Sequence, residues 1–228
     1  MGVPTHSKAL AWRAASMSKI LVQQAKVRTN TIKDSVCKID VPVVKFSDLW
    51  DNYVSGAPFK PGPEDKGDYS NQCALRVSAT FHKVGIQMRS FSQKTVKPMP
   101  GAKALGRVMM DGKPAAVRAY ELGEWLKLQP FCGLPKQPED ITGKDWESKV
   151  KGRTGIIMFH AYWTREGQTA ANASGGHIDL WNGSRLTNNG IAGTLETFAR
   201  FSLGIHRPWP HFYSDLRASK LILFFEVK

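Results

Sequence analysis

The chain has 228 residues, 42% hydrophobic and 10% aromatic, which supports a packed core and excludes disorder over most of its length. Its formal net charge of +13 predicts attraction to polyanions, yet no run of five or more basic residues occurs, a dispersal that speaks against a nucleic-acid partner. No stretch approaches the roughly 18 consecutive apolar residues of a membrane span, and residues 1–30 lack the apolar run and cleavage site of a secretory leader, so if the protein acts outside the cytoplasm a route that reads no cleaved leader is expected.

Residues 1–40 form a basic extension with seven Lys/Arg against two Asp. Leu10, Ala14, Met17 and Leu21 fall at helical spacing, so this extension is expected to be helical in part or disordered. Residues 41–228 read as one domain. Ser47-Asp48-Leu49-Trp50 opens a short helix, capped by Ser47 and stopped near Gly56. A Pro/Gly loop follows from Pro58 to Asn71. Next comes a helix beginning at about Cys73, in which Ala74, Val77, Phe81 and Val84 keep a three-four spacing up to the stop signal at Gly85.

Residues 86–113 read as an irregular connection. A second helix is predicted from Pro114 or Ala115 to about Leu128, because proline is tolerated at a first helical position. Beyond Pro130, Pro135 and Pro138 the pattern turns to sheet. Gly155–Trp163, His177–Trp181 and Leu221–Val227 read as strands, Leu186–Asn188 as the return from the second, and Thr194–Leu203 as a helix. Helices first and strands later predict an α+β domain, with the helices packed on one antiparallel sheet.

The three cysteines, Cys37, Cys73 and Cys132, show neither a CxxC pair nor zinc-ligand spacing, and no metal or cofactor is expected. Cys37 and Cys132 are left either as a disulfide or as two free thiols. Cys73 stands apart. With Ser70 or Asn71 as cap, it occupies the first turn of its helix, where unpaired backbone N–H groups favour a thiolate. The Cys73 N–H and the Gln72 amide are candidate oxyanion donors. A buried packing cysteine is the plain alternative, and the context of His177 tips the balance toward chemistry.

Gly175 and Gly176 allow close backbone approach before His177. If Asn182-Gly183 forms a two-residue hairpin turn, Trp181 faces Ser184 and His177 faces Asn188. That register nominates Asn188 as the third catalytic residue, holding the imidazole. Asp179, two residues along on the face that carries His177, is the runner-up. His82 lies too far along the cysteine helix to serve Cys73. His160 reads as a core or surface residue, and His206 and His211 make a poor metal pair.

The segments Asn71-Gln72-Cys73-Ala74-Leu75-Arg76-Val77-Ser78 and Gly176-His177-Ile178-Asp179-Leu180-Trp181-Asn182 resemble the type VI secretion amidase effector 4 family. The similarity runs from about Val41 to Lys228 and includes Lys45-Phe46-Ser47-Asp48-Leu49-Trp50 and the Gly155-Ile156-Ile157-Met158-Phe159 strand. The resemblance implies a papain-like, NlpC-type cysteine hydrolase. Such an enzyme cleaves the D-glutamyl–meso-diaminopimelate bond of the peptidoglycan stem. It implies Cys73 as nucleophile and His177 as base. The family's third residue, often an aspartate, falls on the strand after the histidine strand, where position 188 holds asparagine.

The resemblance also implies an antibacterial toxin made in the producer cytoplasm and delivered by a type VI apparatus without a signal peptide. It would act in the target-cell periplasm and be opposed by an immunity protein that blocks the cleft. Two other readings stay open on the residues alone: a papain-like thiol peptidase or acyltransferase with a different substrate, and a non-catalytic basic module that binds polyanions.

Overall fold

The computed structural model describes residues 22–28, 31, 36–67, 69–163, 175–187 and 216–228. The chain divides into two units, residues 1–43 and 44–228. In the first, β1 (Val22–Arg28) pairs antiparallel with β2 (Val36–Pro42), from Val22↔Pro42 to Arg28↔Val36. These residues thus form a strand pair where a helical or disordered tail was expected, as the β-branched Val22, Val27, Val36, Ile39 and Val41 favour. The helical spacing of Leu10 to Leu21 lies outside the described residues.

The second unit opens with α1 (Phe46–Asp51), which buries Phe46 and Leu49. Its start lies at Lys45, not Ser47: the Asp48 carboxylate accepts the Lys45 N–H at 3.2 Å, and Ser47 is exposed within the helix. The helix ends at Asn52, ahead of Gly56, where the Asn52 side chain donates to the Asp48 carbonyl at 2.9 Å. The Phe46 N–H donates to the Lys228 carbonyl at 2.9 Å, tying α1 to the chain end. After the loop comes α2 (Cys73–Lys83), which buries Cys73, Ala74, Val77 and Phe81. Gly85 stops it at φ +92°, a left-handed conformation that glycine adopts without strain.

The segment expected to be irregular holds a hairpin. β3 (Arg107–Met110) pairs with β4 (Lys113–Ala116) through Asp111-Gly112, both at positive φ. This is the conformation a two-residue turn needs to match strand twist. Pro114 therefore sits in a strand, and α3 (Ala119–Leu126) begins later than predicted. β4 is fastened to α2 at two points: Ala116 N–H donates to Ser78 Oγ at 3.1 Å, and His82 Nε2 donates to the Pro114 carbonyl at 2.9 Å.

The main sheet has four strands: β5 (Glu139–Asp140), β6 (Gly155–Trp163), β7 (Gly175–Trp181) and β8 (Leu221–Glu226). Their order is β5-β8-β6-β7, every pair antiparallel. Side-chain alternation divides two cores across it. Ile156, Met158, Ile178, Leu180 and Phe225 pack with α2 and α3. Ile157, Phe159, Trp181 and Phe224 pack with Trp146 of α4 (Trp146–Val150) on the opposite face. The fold is a mixed helix and antiparallel-sheet domain, with α4 an element the sequence reading did not anticipate. The helix predicted at Thr194–Leu203 lies outside the described residues.

Candidate active site

Packing of α2 and α3 on β7 decides which side chains meet. Cys73 is the first residue of α2 and His177 the third of β7, and their side chains hydrogen-bond. The Cys73 thiol is buried at 3% exposure, and the His177 side chain is 18% exposed. His177 Nε2 lies 3.5 Å from Asp179 Oδ2, which leaves Nδ1 as the nitrogen that serves the sulfur.

Asp179 is only 1% exposed, a costly place for a carboxylate unless its oxygens are satisfied. They are. Oδ1 accepts the Leu180 N–H at 2.8 Å and the Thr187 hydroxyl, while Oδ2 faces His177. Behind Thr187 stands Tyr53, hydrogen-bonded to Thr187 and Arg76. Burial, reinforced by the nearby Asp179 charge, raises the Tyr53 phenol well above its ordinary value, so it stays a neutral member of this chain of contacts.

The electrostatics follow from this arrangement. Burial alone would drive the His177 imidazole toward neutrality. The hydrogen bonds to Asp179 and Cys73, with their charges, overcome it and push His177 up to about 10. Burial likewise raises the Cys73 thiol, but the hydrogen bond and charge of His177, the Ile178 backbone and the Arg76 charge lower it below its ordinary value overall. Both shifts favour a thiolate–imidazolium pair at neutral pH.

The N-cap position of α2 falls on Gln72, whose side chain makes no capping bond. Asn71, one of the two residues expected to cap the helix, accepts the Cys73 N–H through Oδ1 at 3.3 Å. The Gln72 Oε1 accepts the Phe59 N–H at 3.0 Å, and Nε2 donates to the Phe59 carbonyl at 2.8 Å. Gln72 thereby anchors the Pro/Gly loop in place of the oxyanion contact expected of it.

The register that nominated Asn188 does not form. Trp181 pairs with Leu186, not Ser184, across a loop of residues 182–185. The Asn182 side chain decides this, because its Oδ1 accepts the N–H groups of Ser184 and Arg185 at 3.1 and 2.9 Å and holds a wider loop than the two-residue turn. Asn188 itself lies outside the described residues, and the runner-up Asp179 occupies the position beside the ring.

Gly176 shows why glycine precedes the histidine. A β-carbon there would lie 2.8 Å from the Phe159 carbonyl oxygen of β6. Gly176→Ala is expected to push β7 off β6, displace His177, and slow Cys73 alkylation near neutral pH by at least about tenfold. An alkylation time course on wild type and variant checks this.

A small cleft opens onto Cys73, lined also by Asn71, Met99, Val117, Arg118, Ala119, Tyr120 and Gly176. The remaining histidines serve elsewhere: His82 bonds Pro114, and the His160 ring lies 4.5 Å from that of Tyr120. His206 and His211 lie outside the described residues. Cys132 is a free thiol. Among the described residues, no group of three or more His, Cys, Asp or Glu side chains could hold a metal, and no helix is long and apolar enough to cross a membrane. Tyr53, Thr187 and Arg118 carried no sequence signal, since only long-range packing brings them to the site.

The profile of the family "Type VI secretion system (T6SS), amidase effector protein 4" (Tae4) matches residues 69–225, more than half of the chain and including Cys73, His177 and Asp179. The chain belongs to the Tae4 family. Among solved structures, the type VI effector Tae4 from Enterobacter cloacae is similar at 18% identity, covering 81% of this chain and 96% of that one, with a TM-score of 0.45. Tae4 from Salmonella typhimurium, solved in complex with the immunity protein Tai4 from Enterobacter cloacae, is similar at 16% identity. That alignment covers 70% of this chain and 76% of the other, with a TM-score of 0.39. Comparison with curated proteins finds no match.

Proposed function

We propose that this Tae4-family amidase effector is a papain-like, NlpC-type cysteine endopeptidase that cleaves the D-glutamyl–meso-diaminopimelate bond of peptidoglycan stems. The observation that carries this reading is the buried Cys73–His177 hydrogen bond, backed by Asp179 and opening on a cleft. In acylation, the Cys73 thiolate adds to the γ-carbonyl carbon of D-glutamate. The imidazolium of His177 then gives its proton to the departing amine as the C–N bond breaks. The Cys73 N–H, held by Asn71 only at 3.3 Å, turns toward the developing oxyanion. In deacylation, neutral His177 takes a proton from water as the oxygen attacks the thioester, releasing the glutamyl acid and restoring the ion pair. Asp179 acts as the positioning residue for His177.

The biological setting belongs to the same proposal. The effector leaves its producer through a type VI apparatus, acts in the target periplasm, and is neutralised by a cognate immunity protein seated over the cleft. A charge of +13 suits a wall polymer rich in carboxylates.

Mass spectrometry of digested sacculi tests the reading. The expected products are stems ending in a free D-glutamyl γ-carboxylate, and fragments with a new diaminopimelate amine. Digestion of an unrelated protein substrate, with sacculi left intact, would favour a general thiol peptidase.

A further inference from the structure

The cleft wall facing Cys73 carries a cation that the reaction above does not use. Arg118 lines the cleft just before α3, with its side chain 29% exposed. One of its nitrogens, Nη1, donates to Glu121 Oε1 at 2.7 Å and to the Ala104 carbonyl at 2.8 Å. Among the described residues, Nε and Nη2 have no partner.

Glu121 is fully buried and is held by more than the arginine. Its Oε1 also accepts the Met99 N–H at 2.9 Å, and its Oε2 the Gly106 N–H at 2.7 Å. A β-carbon at Gly106 would meet Glu121 Oε2 at 2.8 Å and Arg118 Cγ at 3.0 Å, so the clamp closes only around glycine. The result is a guanidinium fixed at one corner, with its remaining donors left for the cleft. Such a pre-organised fork matches a carboxylate, because little side-chain freedom is lost when the second pair of hydrogen bonds forms. A cation kept only as a structural staple would bury its donors instead of lining the cleft beside the nucleophile.

We infer that Arg118 is a specificity-determining residue that binds a substrate carboxylate flanking the scissile amide, an inference that rests on the proposed function. Two carboxylates qualify by chemistry: the α-carboxylate of D-glutamate on the acyl side and the free carboxylate of diaminopimelate on the amine side. The clamp by Glu121 holds the guanidinium at a set place on the wall, so a substrate carboxylate seated there registers the scissile carbonyl against Cys73.

The experiment uses synthetic stem peptides with both carboxylates free, or with one or the other converted to its amide. Wild-type kcat/KM is expected to fall by about 10- to 100-fold on amidation of one of the two, and that one names the carboxylate bound. In Arg118→Gln the ratio between free and amidated peptide is expected to collapse to within about threefold, and Arg118→Lys, which keeps a charge for Glu121, to give an intermediate ratio. The rate of Cys73 alkylation reports whether each variant keeps its ion pair. If amidation of neither carboxylate slows the wild type, the inference fails on the wild-type data alone. A ratio unchanged in Arg118→Gln overturns it as well. Wild-type protein that cleaves none of the peptides overturns the proposed reaction, and the inference with it.

Discussion

Cys73→Ala is expected to abolish release of new amine termini from sacculi, with a loss of about 10⁴-fold or more, the scale seen when a nucleophile that works as a unit with its base is removed. The size follows from the mechanism: without the sulfur no thioester forms, and only background attack of water at the cleft remains. The fold should survive. Alanine fits the space of a buried cysteine at the start of α2, and His177 keeps its contact with Asp179. A stability change of about 1–2 kcal/mol, read by thermal melting, is the expected accompaniment. Undiminished cleavage by a folded Cys73→Ala protein would refute the assignment of the nucleophile.

The second large effect is expected at Asp179. In the wild type, activity should rise with pH as the Cys73 thiolate forms, hold through neutrality, and fall as His177 loses its proton at about 10. Asp179→Asn removes the charge and acceptor that hold His177 up, so the alkaline limb should move toward lower pH by about 1–2 units. The sign is fixed. Loss of a stabiliser of the protonated ring makes deprotonation easier, so the active window narrows from its alkaline side. The two limbs belong to the coupled Cys73–His177 pair rather than to either residue alone.

Asp179→Asn also turns one acceptor into a donor: with its oxygen kept on the Leu180 N–H and the Thr187 hydroxyl, its amide nitrogen faces the His177 Nε2–H. A stability loss of about 1–3 kcal/mol is expected from that mismatch. A pH–rate profile with unchanged limbs in a folded variant would remove Asp179 from the positioning role and return the choice of third residue to Asn188.

The readable parts of this chain were those with local causes. The three-four spacing of Ala74, Val77 and Phe81 and the stop at Gly85 specify α2, because each acts through backbone geometry within a few residues. The apolar, aromatic run of Gly155–Trp163 and the apolar run at Leu221 likewise specify β6 and β8. The β3–β4 hairpin is also locally encoded, in Asp111-Gly112, but the flanking Gly- and Lys-rich composition masks it, and Pro114 carries a helix-start signal that the strand overrides. The return from β7 failed for a different reason. Asn182-Gly183 favours a two-residue turn, yet the Asn182 side chain captures two backbone N–H groups further on and widens the loop. That register puts Leu186, not Ser184, opposite Trp181.

By itself, then, the order of residues determined the helix that starts at Cys73, the strand that begins just before His177, and a thiol placed among unpaired amides, because hydrogen bonding and side-chain periodicity act between near neighbours. Long-range packing is what sets Asp179, backed by Thr187 and Tyr53, beside the imidazole, and what lets Glu121 fasten Arg118 on the cleft wall. Those contacts join segments remote in sequence, and burial of their polar groups is tolerated only where the assembled fold supplies every partner.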